Sequence, residues 1–128
     1  MIKLRKILES MDTESTAGIC LFYDSKLLAC KRTNSYWSIP KGHLHIGEVP
    51  SEGVQRELTE ETQIVLNGEP ELVYTKDKEN GKFYLFKFEM NKKLIPRLDH
   101  EHEDWGYFEV TDLPKPFDET VTRYLQND

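Results

Sequence analysis

Hydrophobic and polar positions along the chain fall into short runs that predict strands around one long helix. Thr16 to Tyr23 (TAGICLFY) and Lys26 to Arg32 (KLLACKR) are β-rich, and Asp24-Ser25 between them is a turn signal. Tyr36 to Ile39 reads as a short extended stretch that stops at Pro40. Lys41 to Glu48 (KGHLHIGE) has glycines near both ends and alternating His43 and His45, which predicts a loop containing a brief strand. Pro50 to Thr62 is rich in helix formers, with Pro50 suited to a first helical turn and Gly53 a weak point. Glu71 to Lys76 and Lys82 to Met90 predict two strands joined by a turn over Lys78 to Gly81. Asp104 to Val110 predicts another strand, and Phe117 to Leu125 a closing helix with Val121 and Leu125 one turn apart. Strands around a central helix, with a second helix at the end, indicate an α/β or α+β layered domain.

Length narrows this to one domain over residues 1–128, since 128 residues leave no room for a second core. At 38% hydrophobic residues a core can form, so a disordered chain is excluded. The 17 basic against 23 acidic residues give a net charge of -6, which argues against a nucleic-acid coat or a membrane-surface binder. An acidic protein that handles phosphates needs a local basic patch or a bound cation. No apolar run reaches the roughly 18 residues that cross a bilayer. Met1 to Ser10 has Lys3, Arg5 and Lys6 but no apolar stretch behind them, so no signal peptide is expected. Cys20 and Cys30 are too few for a disulfide scaffold or a cysteine zinc site and are expected to be reduced thiols in a cytoplasmic protein. A bridge across the Asp24-Ser25 hairpin stays open.

The chemistry concentrates on the long helix. Glu57, Glu60 and Glu61 stand at i, i+3 and i+4 and are expected to project from one face. Like charges at that spacing repel, so the face invites a cation. Oxygen-only ligands favour Mg²⁺, Mn²⁺ or Ca²⁺ over Zn²⁺. Val54 and Leu58 lie beside this face and can anchor the helix on a sheet. Glu48 and Arg56 are expected to pair and lock the glycine-bounded loop against the helix, with Gly42 and Gly47 letting it bend close. Against this stands an ordinary solvated acidic helix, the normal fate of three glutamates.

The spacing decides between the two. Gly42, Glu48 and then Arg56-Glu57-Leu58-Thr59-Glu60-Glu61-Thr62-Gln63-Ile64 resembles the Nudix hydrolase signature, G-x5-E-x7-R-E-U-x-E-E-x-G-U. At about one in fifteen per identity, six matches in register arise by chance about once in ten million starts. The signature's last glycine is here Gln63. A non-glycine caps less well if the backbone there needs positive φ, but it touches no carboxylate. TAGICLFY, KLLACKR and WSIPKGH resemble the family's first strands and entry loop, and DHEHEDWGYFEVTDLP the segment after its last core strand.

This resemblance implies an α/β/α sandwich around a mixed sheet. It also implies metal-dependent hydrolysis of a nucleoside diphosphate linked to another group, with Mg²⁺ or Mn²⁺ as cofactor and a small nucleotide as partner. It makes Glu57 and Glu61 the main metal ligands, Glu60 a third or more distant one, and the backbone carbonyl of Lys41 a further one. Arg56 is the motif's scaffold, with Gly42 and Glu48 in support. The general base is Glu57 or a loop glutamate, Glu101 before Glu103. His100 and His102 flank Glu101, but alternate residues on an extended chain point to opposite sides, against a histidine metal site. Lys41 and His43 within PKGH, with Glu101-His102, resemble the dinucleoside polyphosphate branch. Arg32, Lys41 and His43 would then line the phosphates, and Tyr84, Tyr36 or Tyr74 would stack on a base. ADP-ribose-like nucleotide sugars, modified nucleoside triphosphates and RNA 5′ ends are the alternative substrates. A non-catalytic nucleotide-binding module and a structural Ca²⁺ module are the alternatives of another class.

Overall fold

The computed structural model describes residues 11–127. The stretch Met1 to Ser10, where no signal peptide is expected, lies outside the described residues. The strands are β1 (Asp12–Tyr23), β2 (Lys26–Arg32), β3 (Trp37–Ser38), β4 (Lys41–His45), β5 (Glu71–Lys78), β6 (Gly81–Met90) and β7 (His102–Phe108). The helices are α1 (Pro50–Thr62), between β4 and β5, and α2 (Glu119–Gln126). One mixed sheet runs in the order β3-β2-β1-β6-β5, with β4 added on β1 and β7 on β2. The β1–β6 pair is parallel and all the other pairs are antiparallel. Asp24 and Ser25 both have positive φ, 52° and 63°, as a two-residue hairpin turn of the primed kind requires.

β1 is the centre of the molecule. It is covered on both faces, which is why AGICL reads as a continuous apolar run and not an alternating one. Ala17, Ile19 and Leu21 point to the α1 side, where they meet Leu28, Leu44, Val54, Leu58 and Phe86. Cys20 points the other way, joining Leu27, Ile39, Phe83, Leu85 and Val121 beneath α2. Two cores on opposite faces of one sheet make the three-layer α/β/α arrangement. The two cysteines are free and buried. Cys30 lies opposite Ser38 and Trp105, not Cys20, and burial pushes both thiols up to about 12.

Val54 and Leu58 are fully buried and seat α1 on the sheet. Each contributes about 1.5–3 kcal/mol by leaving water. Gly53 is what allows the approach: a Cβ there would stand 2.3 Å from Leu44 Cδ2 and 3.0 Å from Glu48 Oε1. The weak helix former is therefore a packing requirement. The helix ends on Gln63 in the left-handed region (φ 61°), whose N–H reaches Thr59 O at 2.8 Å. The substitution for glycine keeps the cap geometry and carries the strain of a side chain at that φ.

Candidate active site

The site forms where β4 runs under α1. Gly42 lies opposite Ala17 of β1, and Glu57 lies directly over Gly42. A Cβ at position 42 would sit 2.2 Å from Glu57 Oε2, so only glycine lets this carboxylate occupy its place. The neighbouring Lys41 N–H donates to Glu61 Oε1 at 3.4 Å. Two successive residues of β4 thus meet two carboxylates from successive turns of the helix, Lys41 by a hydrogen bond and Gly42 by leaving room.

Arg56 fixes the frame. Its Nε and Nη2 donate to the two oxygens of Glu48 at 2.8 and 3.0 Å. Its Nη1 donates to Glu57 Oε1 at 2.9 Å and to Glu60 Oε2 at 2.9 Å, and Nη2 also reaches His43 O at 2.9 Å. Glu48 accepts in addition from the His45 N–H at 2.9 Å. Burial alone would push the Glu48 carboxyl up, but the Arg56 and His45 hydrogen bonds outweigh it and hold it low. The guanidinium fork matches a carboxylate in two-point geometry, which a lysine could not reproduce.

Glu61 has the opposite environment. It is 6% exposed, and its carboxyl lies beside that of Glu57. Burial first, and then the Glu57 carboxyl, push it far above the ordinary carboxylate range, against weaker opposing pulls from the Lys41 N–H and the Arg32 charge. A buried carboxyl crowded by a second one is short of positive charge. That deficit is what a hard divalent cation supplies, and the donors are oxygens throughout. Glu57 and Glu61 would hold it. Among the described residues no three His, Cys, Asp or Glu side chains form a ready-made ligand group. Of the three glutamates expected on one face, two meet, while Glu60 turns outward, 54% exposed, onto Arg56.

The remaining expected residues are dispersed around this pair. Arg32 ends β2 opposite His102, close enough for its charge to act on Glu61. The Lys41 ammonium pairs with the buried Asp118 and so faces away from the carboxylates. Asp118 also accepts from Ser38 Oγ at 2.9 Å and caps α2 through the Thr120 N–H at 3.0 Å. His43 is exposed, with Nδ1 2.8 Å from Thr13 O. Tyr84 packs against the core under α1, Tyr74 lies 5.6 Å from Tyr124 between ring centroids, and Tyr36 lines a groove beside α2. Glu101 is exposed on the turn before β7, and its N–H donates to Asp99 Oδ1 at 3.2 Å. Glu103 pairs with Lys31 at 3.4 Å.

Two acids went unread in the sequence. Asp118 carries a helix-capping signal, an Asp just before a helical run. Asp99 has no local signal at all; the structure sets it against His102, with Oδ1 2.7 Å from Nδ1.

Beside Lys41 a cavity of about 230 Å³ is lined by Thr16, Lys76, Lys78 and Asp118. Lys76 and Thr120 also line a second cavity, of about 360 Å³, flanked by Tyr74, Arg123 and Tyr124. A wide groove of about 1250 Å³ between the 110–118 segment and α2 contains none of the α1 carboxylates, so its size does not make it the reaction site.

A family model described as NUDIX domain matches residues 12–127. A MutT-like protein of Streptomyces ambofaciens is 45% identical over 51 residues, which is 39% of this chain and 33% of that protein. The match thus spans about a third of that relative's length. Among solved structures, a MutT NUDIX hydrolase from Burkholderia pseudomallei superposes with a TM-score of 0.77 at 24% identity, covering 88% of this chain and 95% of the other. A C. elegans Ap4A hydrolase in a binary complex gives 0.67 at 20%, covering 88% of each. The NUDIX domain of Shewanella oneidensis NrtR, complexed with ADP ribose, gives 0.70 at 20%, covering 91% and 88%. These superpositions show a shared fold.

Proposed function

The chain belongs to the NUDIX family, and from that premise we propose that it is a metal-dependent pyrophosphohydrolase acting on a nucleoside diphosphate linked to another group. The observation that carries this is the Glu57–Glu61 pair, seated over Gly42 and framed by Arg56 and Glu48. Mg²⁺ or Mn²⁺ held by Glu57 and Glu61, with Glu60 more distant, would neutralise phosphate charge and acidify an attacking water. Arg56 keeps Glu57 in place through that step, and Arg32 adds positive charge on the far side of Glu61. Glu101, on the loop tied to the end of α1, is the proposed general base, with Glu57 and Glu103 as alternatives. A non-catalytic binding module has no need of a strained, crowded carboxylate pair, so the enzyme reading is preferred.

Within the class, dinucleoside polyphosphates such as diadenosine tetraphosphate lead. The support is the resemblance carried by Lys41 and His43 within PKGH together with Glu101-His102; the two cavities lined by Lys76, like the groove beside α2, contain none of the α1 carboxylates. ADP-ribose-like compounds, modified nucleoside triphosphates and RNA 5′ ends follow. The free, buried cysteines fit a reducing, cytoplasmic setting. The test is a substrate panel with Mg²⁺ or Mn²⁺, scored by chromatography of the products. Dinucleoside tetraphosphate should be cleaved with the highest kcat/KM, and activity should vanish in Glu57→Gln. Equal rates on simple nucleoside triphosphates would overturn the ranking, and an inert panel would overturn the class.

A further inference from the structure

Asp99 lies two residues before Glu101, and the hydrolysis leaves it without a task. Its side chain is 18% exposed. Oδ1 accepts twice, from the Glu101 N–H at 3.2 Å and from the ring of His102, whose Nδ1 lies 2.7 Å away. An ionised carboxylate only accepts, so both hydrogens sit on the partners, one on the main chain of Glu101 and one on Nδ1.

The turn that these bonds tie is anchored at both ends. The Asp99 N–H donates to the Glu61 carbonyl at 3.2 Å, and two residues earlier the Arg97 N–H donates to Thr62 O at 2.8 Å. The segment therefore starts on the last turn of α1. The His102 N–H closes back onto Asp99 O at 3.4 Å. On the far side the Glu101 carbonyl accepts from the Thr33 N–H at 3.1 Å, on the turn between β2 and β3. The main chain of Glu101 is thus held twice, its N–H by Asp99 and its C=O by Thr33, while its side chain stays exposed. Glu101 also stands between two residues set against Glu61. Asp99 meets the Glu61 carbonyl, and the His102 ring lies 3.8 Å from the Glu61 carboxylate.

We propose that Asp99 is a positioning residue: by accepting from the Glu101 N–H, with the His102 ring steadying it, it holds the turn in the form that presents the Glu101 carboxylate to the reaction. The assignment rests on reading Glu101 as the general base. Main-chain bonds fix where the turn begins and ends; the Asp99 side chain fixes how it is folded in between. Without that side chain the Glu101 N–H loses its acceptor, and the exposed residues 100 and 101 can pivot between two fixed ends. A base must come within hydrogen-bond reach of the proton it takes, so a displacement of about 1 Å can cost about a hundredfold.

Two measurements test this. The first is amide hydrogen exchange in the metal-free protein, followed by NMR. The Glu101 N–H should exchange about tenfold or more slower than an unstructured amide. It should lose that protection in Asp99→Ala and keep it in Asp99→Asn, whose side-chain oxygen accepts the same bonds. The second is single-turnover hydrolysis of the fastest-cleaved panel compound, expected to be diadenosine tetraphosphate, at saturating Mg²⁺. Asp99→Ala should slow it about 10–100-fold, with substrate half-saturation and Mn²⁺ affinity within about threefold of wild type. Asp99→Asn should stay within about threefold of the wild-type rate. Because Asp99 acts through Glu101, Asp99→Ala added to Glu101→Gln should cost nothing more. Additive losses in that double variant, or a folded Asp99→Ala at the wild-type rate, would overturn the assignment while leaving Glu101 as the base. If Asp99→Ala folds poorly because the His102 ring N–H is stranded, Asp99→Ala with His102→Leu removes that donor and should show the same loss. A freely exchanging Glu101 N–H in the wild type would overturn the assignment with no variant at all. A full-speed Glu101→Gln would overturn the base reading and this assignment together.

Discussion

Replacing Glu61 by glutamine should make the metal-free protein more stable while abolishing its activity. Glu61 is buried beside Glu57, and its carboxyl is pushed above the ordinary value near 4.5 by burial and by that neighbour. The unfolded chain releases this proton near the ordinary value, whereas the folded chain keeps it to higher pH. Between the two values the unfolded state binds fewer protons, so stability falls as pH rises. One full proton difference is worth about 1.4 kcal/mol per pH unit, an upper limit of about 3 kcal/mol between pH 5.5 and 7.5. Sharing with Glu57, and the opposing pulls of Lys41 N–H and Arg32, reduce this to about 1–2 kcal/mol. Glutamine cannot ionise, retains the acceptor for the Lys41 N–H, and turns its NH₂ toward Glu57 or His102. In EDTA at pH 7.5, Glu61→Gln should melt about 4–8 °C higher than wild type. The gap should close as pH falls toward 5. Millimolar Mg²⁺ should raise wild-type melting and leave the variant unmoved, reversing the order. Turnover at saturating Mg²⁺ should fall by about a hundredfold or more. A variant no more stable than wild type at any pH in EDTA would refute the buried-charge argument, whatever its activity.

The other outcomes follow from the same frame. Arg56→Ala strands Glu48 and Glu57 and should cost about 2–4 kcal/mol, seen as lower melting together with lower kcat; an unchanged melting point with only KM raised would make Arg56 a substrate contact. Gly42→Ala puts a methyl on the Glu57 carboxylate and should lower kcat about a hundredfold, while circular dichroism shows an intact fold. Gln63→Gly relieves the left-handed cap and should raise stability by about 0.5–1 kcal/mol in urea titration, with kcat unchanged. Glu101→Gln should slow single-turnover hydrolysis about 10²–10⁴-fold and flatten the acidic limb of the pH–rate profile; a full-speed variant with an unaltered limb would remove Glu101 as the base.

What the sequence made legible was local. α1 spans the predicted Pro50–Thr62, because proline at the start and an uninterrupted set of helix formers act within the helix itself. Strand ends were less readable because partners set them. β1 begins at Asp12, four residues before the predicted start, because β4 folds back far enough for Asp12 to meet His45 across a bulge. β7 starts at His102, not Asp104, through an irregular pairing with Arg32. α2 starts at Glu119, not Phe117, because Asp118 takes the first N–H groups while Phe117 bridges to Trp37. The signature singled out Glu57, Glu60 and Glu61 together, and helical spacing alone put Glu60 with the other two. The side chain that separates them, Arg56, has one guanidinium to share, and Glu60 is the acid it turns toward solvent.

The same distinction bears on how the site is tuned. The signature is a helix and its entry loop, and its spacing is enough to seat Glu57 over Gly42 and Arg56 against Glu48. Burial and Glu57 raise the Glu61 carboxyl, and the opposing pulls come from elsewhere in the chain, from the Lys41 N–H of β4 and from Arg32 at the end of β2. Lys41 is in turn pinned by Asp118, 77 residues away. Polar partners so far apart in the chain leave no periodic trace, because each is set by strand register and not by its neighbours in sequence. The electrostatic setting of Glu61 can therefore change through a position such as Arg32 while every signature residue stays in place. Glu61 is where such changes act, since a buried carboxylate with few partners responds strongly to each one it gains or loses.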